Sequence, residues 1–211
     1  MGTIIQMDRV SCIFPSSYFP SISYLNAYFQ SENPSIEIHE TFPKQTLRNR
    51  CEILTSNGIL RLSVPVIKPK GSKTTTKDIE IDLSKKWQNE HWRAIQSAYA
   101  SAPYYEDYAE YVNTLIYKSP KQLIELNDNI LIFIFEILDI THQIIQTDSF
   151  ELSHPSDLRN TEFMNREIIS EYQQVFSYDR EFTHNLSFLD LLFNEGPFMR
   201  NWIINKKHEL L

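Results

Sequence analysis

Two hydrophobic periods divide the chain. Up to about residue 82 the apolar positions come in short alternating or continuous runs, and beyond Trp87 they recur every three or four residues. Residues 4–7 and 11–14 have β character that Pro15 ends. Pro20 then precedes Tyr24, Leu25, Tyr28 and Phe29 at the spacing of a short helix. Residues 36–40 alternate as a strand. Residues 50–55 and 59–66 flank Ser56-Asn57-Gly58, the strongest hairpin signal present. Residues 69–76 read as a mobile loop by composition, and 79–82 as a further strand.

The second half is helical in pattern. Residues 87–100 and 104–117 predict two helices broken at Ala102-Pro103. Ser119-Pro120 predicts the cap and first position of a third, running to about residue 138. Residues 143–147 read as a strand and 157–162 as polar loop. Residues 167–176, 187–193 and 198–207 predict further helices, the last two separated at Gly196-Pro197. This order predicts an α/β or α+β single domain over residues 1–211, with a mixed sheet, an N-terminal hairpin and a helical second half.

Composition narrows the chemistry. With 42% hydrophobic and 13% aromatic residues the chain can build a substantial core. Its four glycines are too scattered for a phosphate-binding loop, so no cofactor is expected. The six histidines lie far apart and no metal motif is present. No signal-peptide pattern opens the sequence, and the longest apolar run, 130–138, falls short of the roughly 20 residues that cross a bilayer. Cys12 and Cys51 make no disulfide framework. The expectation is a cytoplasmic protein with two reduced, buried thiols.

Charge is uneven. The net charge is −7, yet residues 44–77 hold eight basic side chains against Glu52 alone. An acidic protein with one basic segment argues against nucleic acid and suits a small anionic or sugar-containing ligand. Within residues 39–50, Arg48, Arg50 and Lys44 offer donors for an anionic group, and Gln45 and Asn49 offer amides for sugar hydroxyls. The competing reading is a loop whose polar side chains satisfy backbone and surface acids. A second cluster places His91 about two helical turns from Tyr99, followed by Tyr104. Here a neutral-range base could work beside stacking rings, or the same groups could be aromatic core with a hydrogen-bonded histidine.

Read in order, Pro15-Ser-Ser-Tyr18-Phe19-Pro20, Lys44-Gln45-Thr-Leu-Arg48-Asn49-Arg50-Cys51, Leu62-Ser-Val-Pro65-Val66, His91-Trp92 with Tyr99 and Ala102-Pro103-Tyr104, and Asn185-Leu-Ser-Phe-Leu-Asp190-Leu-Leu-Phe-Asn194-Glu-Gly196 resemble the WbqC-like protein family. The resemblance implies a role in surface-polysaccharide (O-antigen) biosynthesis, as a transferase moving a glycyl or related acyl group to an amino sugar. A non-catalytic sugar- or nucleotide-binding module, or a partner in a biosynthetic complex or homo-oligomer, is the alternative. His91 would act as the catalytic base, and Tyr18, His39, Lys44, Gln45, Arg48, Asn49, Arg50, Tyr99 and Tyr104 would hold substrate. Two departures stand out. Ile13-Phe14-Pro15 replaces the family's Gln-Pro, and the portion between about 147 and 178 is shortened. Asp190 could instead pair with Arg50 as a structural ion pair.

Overall fold

The computed structural model describes residues 11–163, 169–176 and 181–205. Mixed helices and small sheets make up the fold, as an α/β or α+β arrangement does. One sheet is parallel and consists of β1 (Ile13–Pro15), β2 (Ser35–Glu37) and β7 (Ile145–Gln146), in the order β1-β2-β7. Residues 156–158 extend it past β1, because Ile13 N donates to Ser156 O and Leu158 N to Ile13 O. Helix α1 (Ile22–Gln30) makes the crossover from β1 to β2. Ser21 caps it by accepting from Tyr24 N, and its hydroxyl donates to Phe163 O at 2.6 Å.

The antiparallel pairings form ribbons of their own. β3 (Arg50–Thr55) and β4 (Gly58–Ser63) pair over their full length, from Arg50↔Ser63 to Thr55↔Gly58. The hairpin turns where expected, with Gly58 at φ +104°. β5 (Val66–Ile67) pairs with β6 (Glu80–Ile81). Parallel and antiparallel strands are thus divided among three small sheets. The loop expected to be mobile is pinned: Phe42 N donates to Thr74 O and Thr76 N to Glu40 O, and both threonines are buried.

Four helices pack around these sheets: α2 (Trp87–Tyr99), α3 (Tyr105–Tyr117), α4 (Leu123–Ile137) and α5 (Phe188–Glu195). α4 starts later than Ser119-Pro120 predicts. Residues 121–122 run extended beside β6, with Ile81 N bonded to Lys121 O and Leu123 N to Ile79 O, so their backbone is committed before a helix can begin. Ser187 caps α5, nearly all of which is buried. Residues 169–176 are not helical. Their polar side chains turn to α5 instead, Tyr172 OH and Gln174 Nε2 both donating to Asp190 Oδ2. After α5 come a 3₁₀ turn (Gly196–Met199) and a π turn (Asn201–Asn205) in place of one long helix. The strand at 4–7, residues 167–168 of one predicted helix and the end of the last lie outside the described residues. No helix among those described is long and apolar enough to cross a membrane.

Gly196 has φ +53°, and a Cβ there would intrude on the Tyr104 ring. Gly71, at φ +58°, faces open space. Alanine at either site strains the backbone, but only at Gly196 does it also clash. Gly196→Ala should therefore cost about 1–3 kcal/mol more than Gly71→Ala, read as the difference between their denaturant midpoints.

Candidate functional site

Because β1, β2 and β7 are parallel, their carboxyl ends share one edge, where sheets of this kind collect polar loops and ligands. Glu37, the last residue of β2, is wholly buried there. Its Oε1 accepts from His39 N at 2.6 Å and Thr147 Oγ1 at 3.0 Å. Its Oε2 accepts from Glu151 N and from Arg159 Nη1, both at 3.2 Å. Arg159, itself buried, also donates to Asp157 through Nε at 2.9 Å and Nη2 at 2.5 Å. Those bonds hold the Asp157 carboxyl below its ordinary range and raise the guanidinium's.

A second buried arginine completes the network. Arg48, 2% exposed, donates from Nε to Glu40 at 2.6 Å, from Nη1 to Thr46 Oγ1 and from Nη2 to Arg159 O. Every nitrogen of its guanidinium has an acceptor within the protein.

A cleft of about 410 Å³ opens over this network. Arg48, Arg50, Arg61 and Arg159 line it together with Gln45, Thr46, Asn160, Thr161 and Glu162. Gln45 stands at its lip with φ +61°, a left-handed backbone that costs a non-glycine residue about 1–2 kcal/mol. Three of the four arginines are matched: Arg48 to Glu40, Arg159 to Asp157 and Glu37, and Arg61 to Glu52 at 2.6 Å. Arg50 is not. Its Nε is buried without an acceptor, and none of the described residues forms an ion pair with it.

The alternative Arg50–Asp190 pair does not form, for a concrete reason. Asp190, 1% exposed, already accepts from Tyr99 OH at 2.9 Å, Tyr172 OH at 2.7 Å and Gln174 Nε2 at 2.9 Å. Burial raises its pKa, and the three donors oppose that rise.

The structure brings Gln45, Arg48 and Arg50 to one cleft and places the other predicted residues elsewhere. His91 is 4% exposed and does not line the cleft. One ring nitrogen meets the Ser63 backbone carbonyl as a donor, so Nδ1 accepts from Tyr18 OH at 2.9 Å. Trp87 packs edge-on to the ring. Burial pushes the His91 pKa down to about 4, leaving a neutral imidazole enclosed in the core. Tyr18 and Tyr99 are equally enclosed, and Tyr99 OH also accepts from Leu54 N. Asn49 closes the hairpin, its Nδ2 donating to Val64 O while Val64 N donates to Asn49 O. His39 Nε2 lies 3.0 Å from Thr147 O, behind Glu37. Lys44 is exposed outside the cleft lining, and Tyr104 covers Gly196 on another face. Of the thiols, Cys51 is buried and Cys12 only partly so.

Sequence reasoning passed over Arg159, Arg61 and Glu37. The one local signal was Asp157-Leu-Arg159, an acid and a base two residues apart that lock each other in a turn: Arg159 N also donates to Asp157 Oδ1.

Beside the network, Asn127 on α4 donates to Ser16 Oγ at 2.7 Å and Arg48 O at 2.9 Å. Its neighbour Asp128 accepts from Gln146 Nε2 through Oδ2, while its Oδ1 is buried with no partner. Burial raises the Asp128 pKa to about 6, the Gln146 bond opposing it.

A model of the WbqC-like protein family matches residues 16–162, a span that holds the whole charge network and nearly all of the cleft. The uncharacterized protein Rv1507c of Mycobacterium tuberculosis is 25% identical over 167 residues, 79% of this chain and 71% of its own. No solved structure matches.

Two measurements check this geometry. Arg48→Ala strands Glu40 and should cost about 3–5 kcal/mol, whereas Arg50→Ala, which breaks no ion pair among the described residues and removes a buried donor without an acceptor, should leave stability unchanged or raise it by about 1 kcal/mol, both read from denaturant melts. The second is pH dependence. Between pH 6.5 and 4 the unfolded chain protonates His91 and the native state does not, so His91 removes up to about 3 kcal/mol of stability on acidification. Asp128 acts oppositely, since its native pKa lies above the unfolded value and the native state takes up its proton first. Melts at pH 6.5 and 4.5 should accordingly show a steeper acid-side fall for Asp128→Asn and a shallower one for His91→Gln.

Proposed function

The chain belongs to the WbqC-like protein family, and we propose that it binds a small anionic, sugar-containing ligand in the arginine cleft. The observation that carries this reading is Arg50. Of the four arginines that line the cleft it alone has no acid among the described residues, and its side chain is half-buried at the lining. A phosphate or carboxylate in the cleft meets that charge in the planar geometry a guanidinium favours. The neutral side of the cleft, Gln45, Asn160 and Thr161, offers the amide and hydroxyl groups that hydrogen-bond a sugar. The cleft's volume suits a ligand of that size.

The arrangement supports the binding module of the two functional readings. Transfer of a glycyl or related acyl group to an amino sugar asks in addition for a base at the ligand, because the attacking amine must be unprotonated. His91, expected in that part, is enclosed by Tyr18 and Trp87. Surface-polysaccharide assembly remains the pathway that the family resemblance implies.

The test is thermal stability against inorganic phosphate, hexose phosphates, nucleotide sugars and neutral sugars, on the wild type and on Arg50→Ala. A ligand at about 100 times its dissociation constant stabilises by about 2.7 kcal/mol. The expected result is a shift with the anionic compounds alone, lost in Arg50→Ala. Equal shifts with neutral sugars, or a shift that survives the substitution, would refute the reading.

A further inference from the structure

A second surface stands apart from the cleft. Two depressions along α3 and α4, of about 560 and 480 Å³, share Tyr111, Phe133 and Glu136 and so form one continuous groove. Its floor is apolar. Tyr111 and Phe133 stack with centroids 6.0 Å apart, and Tyr111 is 61% and Ile132 45% exposed. Its rim is acidic: Asp107, Glu110 and Glu136 line it, and no lysine or arginine does.

The groove has the shape of a helix seat. Its α3 positions, from Asp107 to Leu115, extend about 12 Å along the axis, a little over two turns. On α4, Asn129, Phe133 and Glu136 follow at helical spacing. Two helices that present an apolar trough between them are completed by a third whose anchors recur at i, i+3 or i+4 and i+7.

Charge decides what that third helix is. An acidic rim repels anionic ligands and anionic lipid surfaces and attracts lysine and arginine flanking an apolar stripe. The described helices of a second copy do not supply this. Among the described helices α1, α3, α4 and α5 contain no basic residue, and α2 contains only Arg93. We propose that the α3–α4 groove receives a basic amphipathic helix of a different polypeptide.

The probe is a fluorescein-labelled helical peptide of about 18 residues with one leucine stripe flanked by lysines. A scrambled peptide of the same composition and a glutamate-for-lysine version serve as comparisons. Fluorescence anisotropy should show the lysine peptide binding at least about tenfold more tightly than the scrambled one, with about tenfold lost in Tyr111→Ser/Ile132→Ser. Glu110→Lys/Glu136→Lys should reverse the preference toward the glutamate peptide, while Glu90→Lys, exposed on α2, should leave it unchanged. These groove positions lie on the surface, and circular dichroism verifies that each variant folds. Equal binding of ordered and scrambled peptides would overturn the proposal, as would a preference untouched by the charge reversal. Concentration-dependent self-association in sedimentation, abolished by Tyr111→Ser, would overturn it in favour of a second copy.

Discussion

The carboxylate of Glu37, wholly buried at the end of the middle strand, is the constraint around which the carboxyl edge is organised. A carboxylate out of water is tolerated only when its lone pairs are filled. Four donors do this, and they come from residues 39, 147, 151 and 159. One buried charge therefore ties the exit of β2 to the end of β7 and to two later loop positions. Arg159 passes the requirement on to Asp157, whose neighbours extend the sheet past β1, and its carbonyl accepts from Arg48. The loop bearing Arg48 is held by the same network, and so is the cleft above it.

That network explains why most of the arginines are not available for a ligand. Arg48 and Arg159 spend their donors on protein acceptors, so they shape the cleft floor and contribute little free positive potential. Arg61 is offset by Glu52 on the neighbouring strand of its hairpin. Arg50 is the exception: across the ribbon it pairs with Ser63, and Glu52, two residues along its own strand, is taken by Arg61. Burying one guanidinium nitrogen without an acceptor is the local cost of keeping a cation at the cleft.

The core contains two further polar locks. Tyr18 with His91 joins the segment after β1 to α2. The group around Asp190 joins α2, α5 and residues 172–174. Both couple segments distant in the chain through hydrogen bonds inside apolar surroundings, where a lost donor leaves an orphan that water cannot reach. Tyr18, His91 and Tyr99 lie within the span that matches the family, and a motif read alone does not distinguish a side chain that locks the core from one that does chemistry.

From its sequence alone, this chain determined its class, its hairpin and the positions of α2, α3 and α5, because hydrophobic period, Asn57-Gly58 and Ser187 act over a few neighbouring residues. It also set a dense run of basic side chains within residues 44–77, and three of them, Arg48, Arg50 and Arg61, line the cleft. Helix α4 escaped local reading at its start, since a strand had claimed residues 121–122, and residues 169–176 escaped it because their side chains serve Asp190. Glu37 looked like the solvent face of an alternating strand, yet a middle strand of a parallel sheet is covered on both faces. Which arginine was spare, and that His91 was enclosed, depended on partners tens of residues away. Only the tertiary structure brings those partners within hydrogen-bonding distance, and only there is it settled which charges are satisfied.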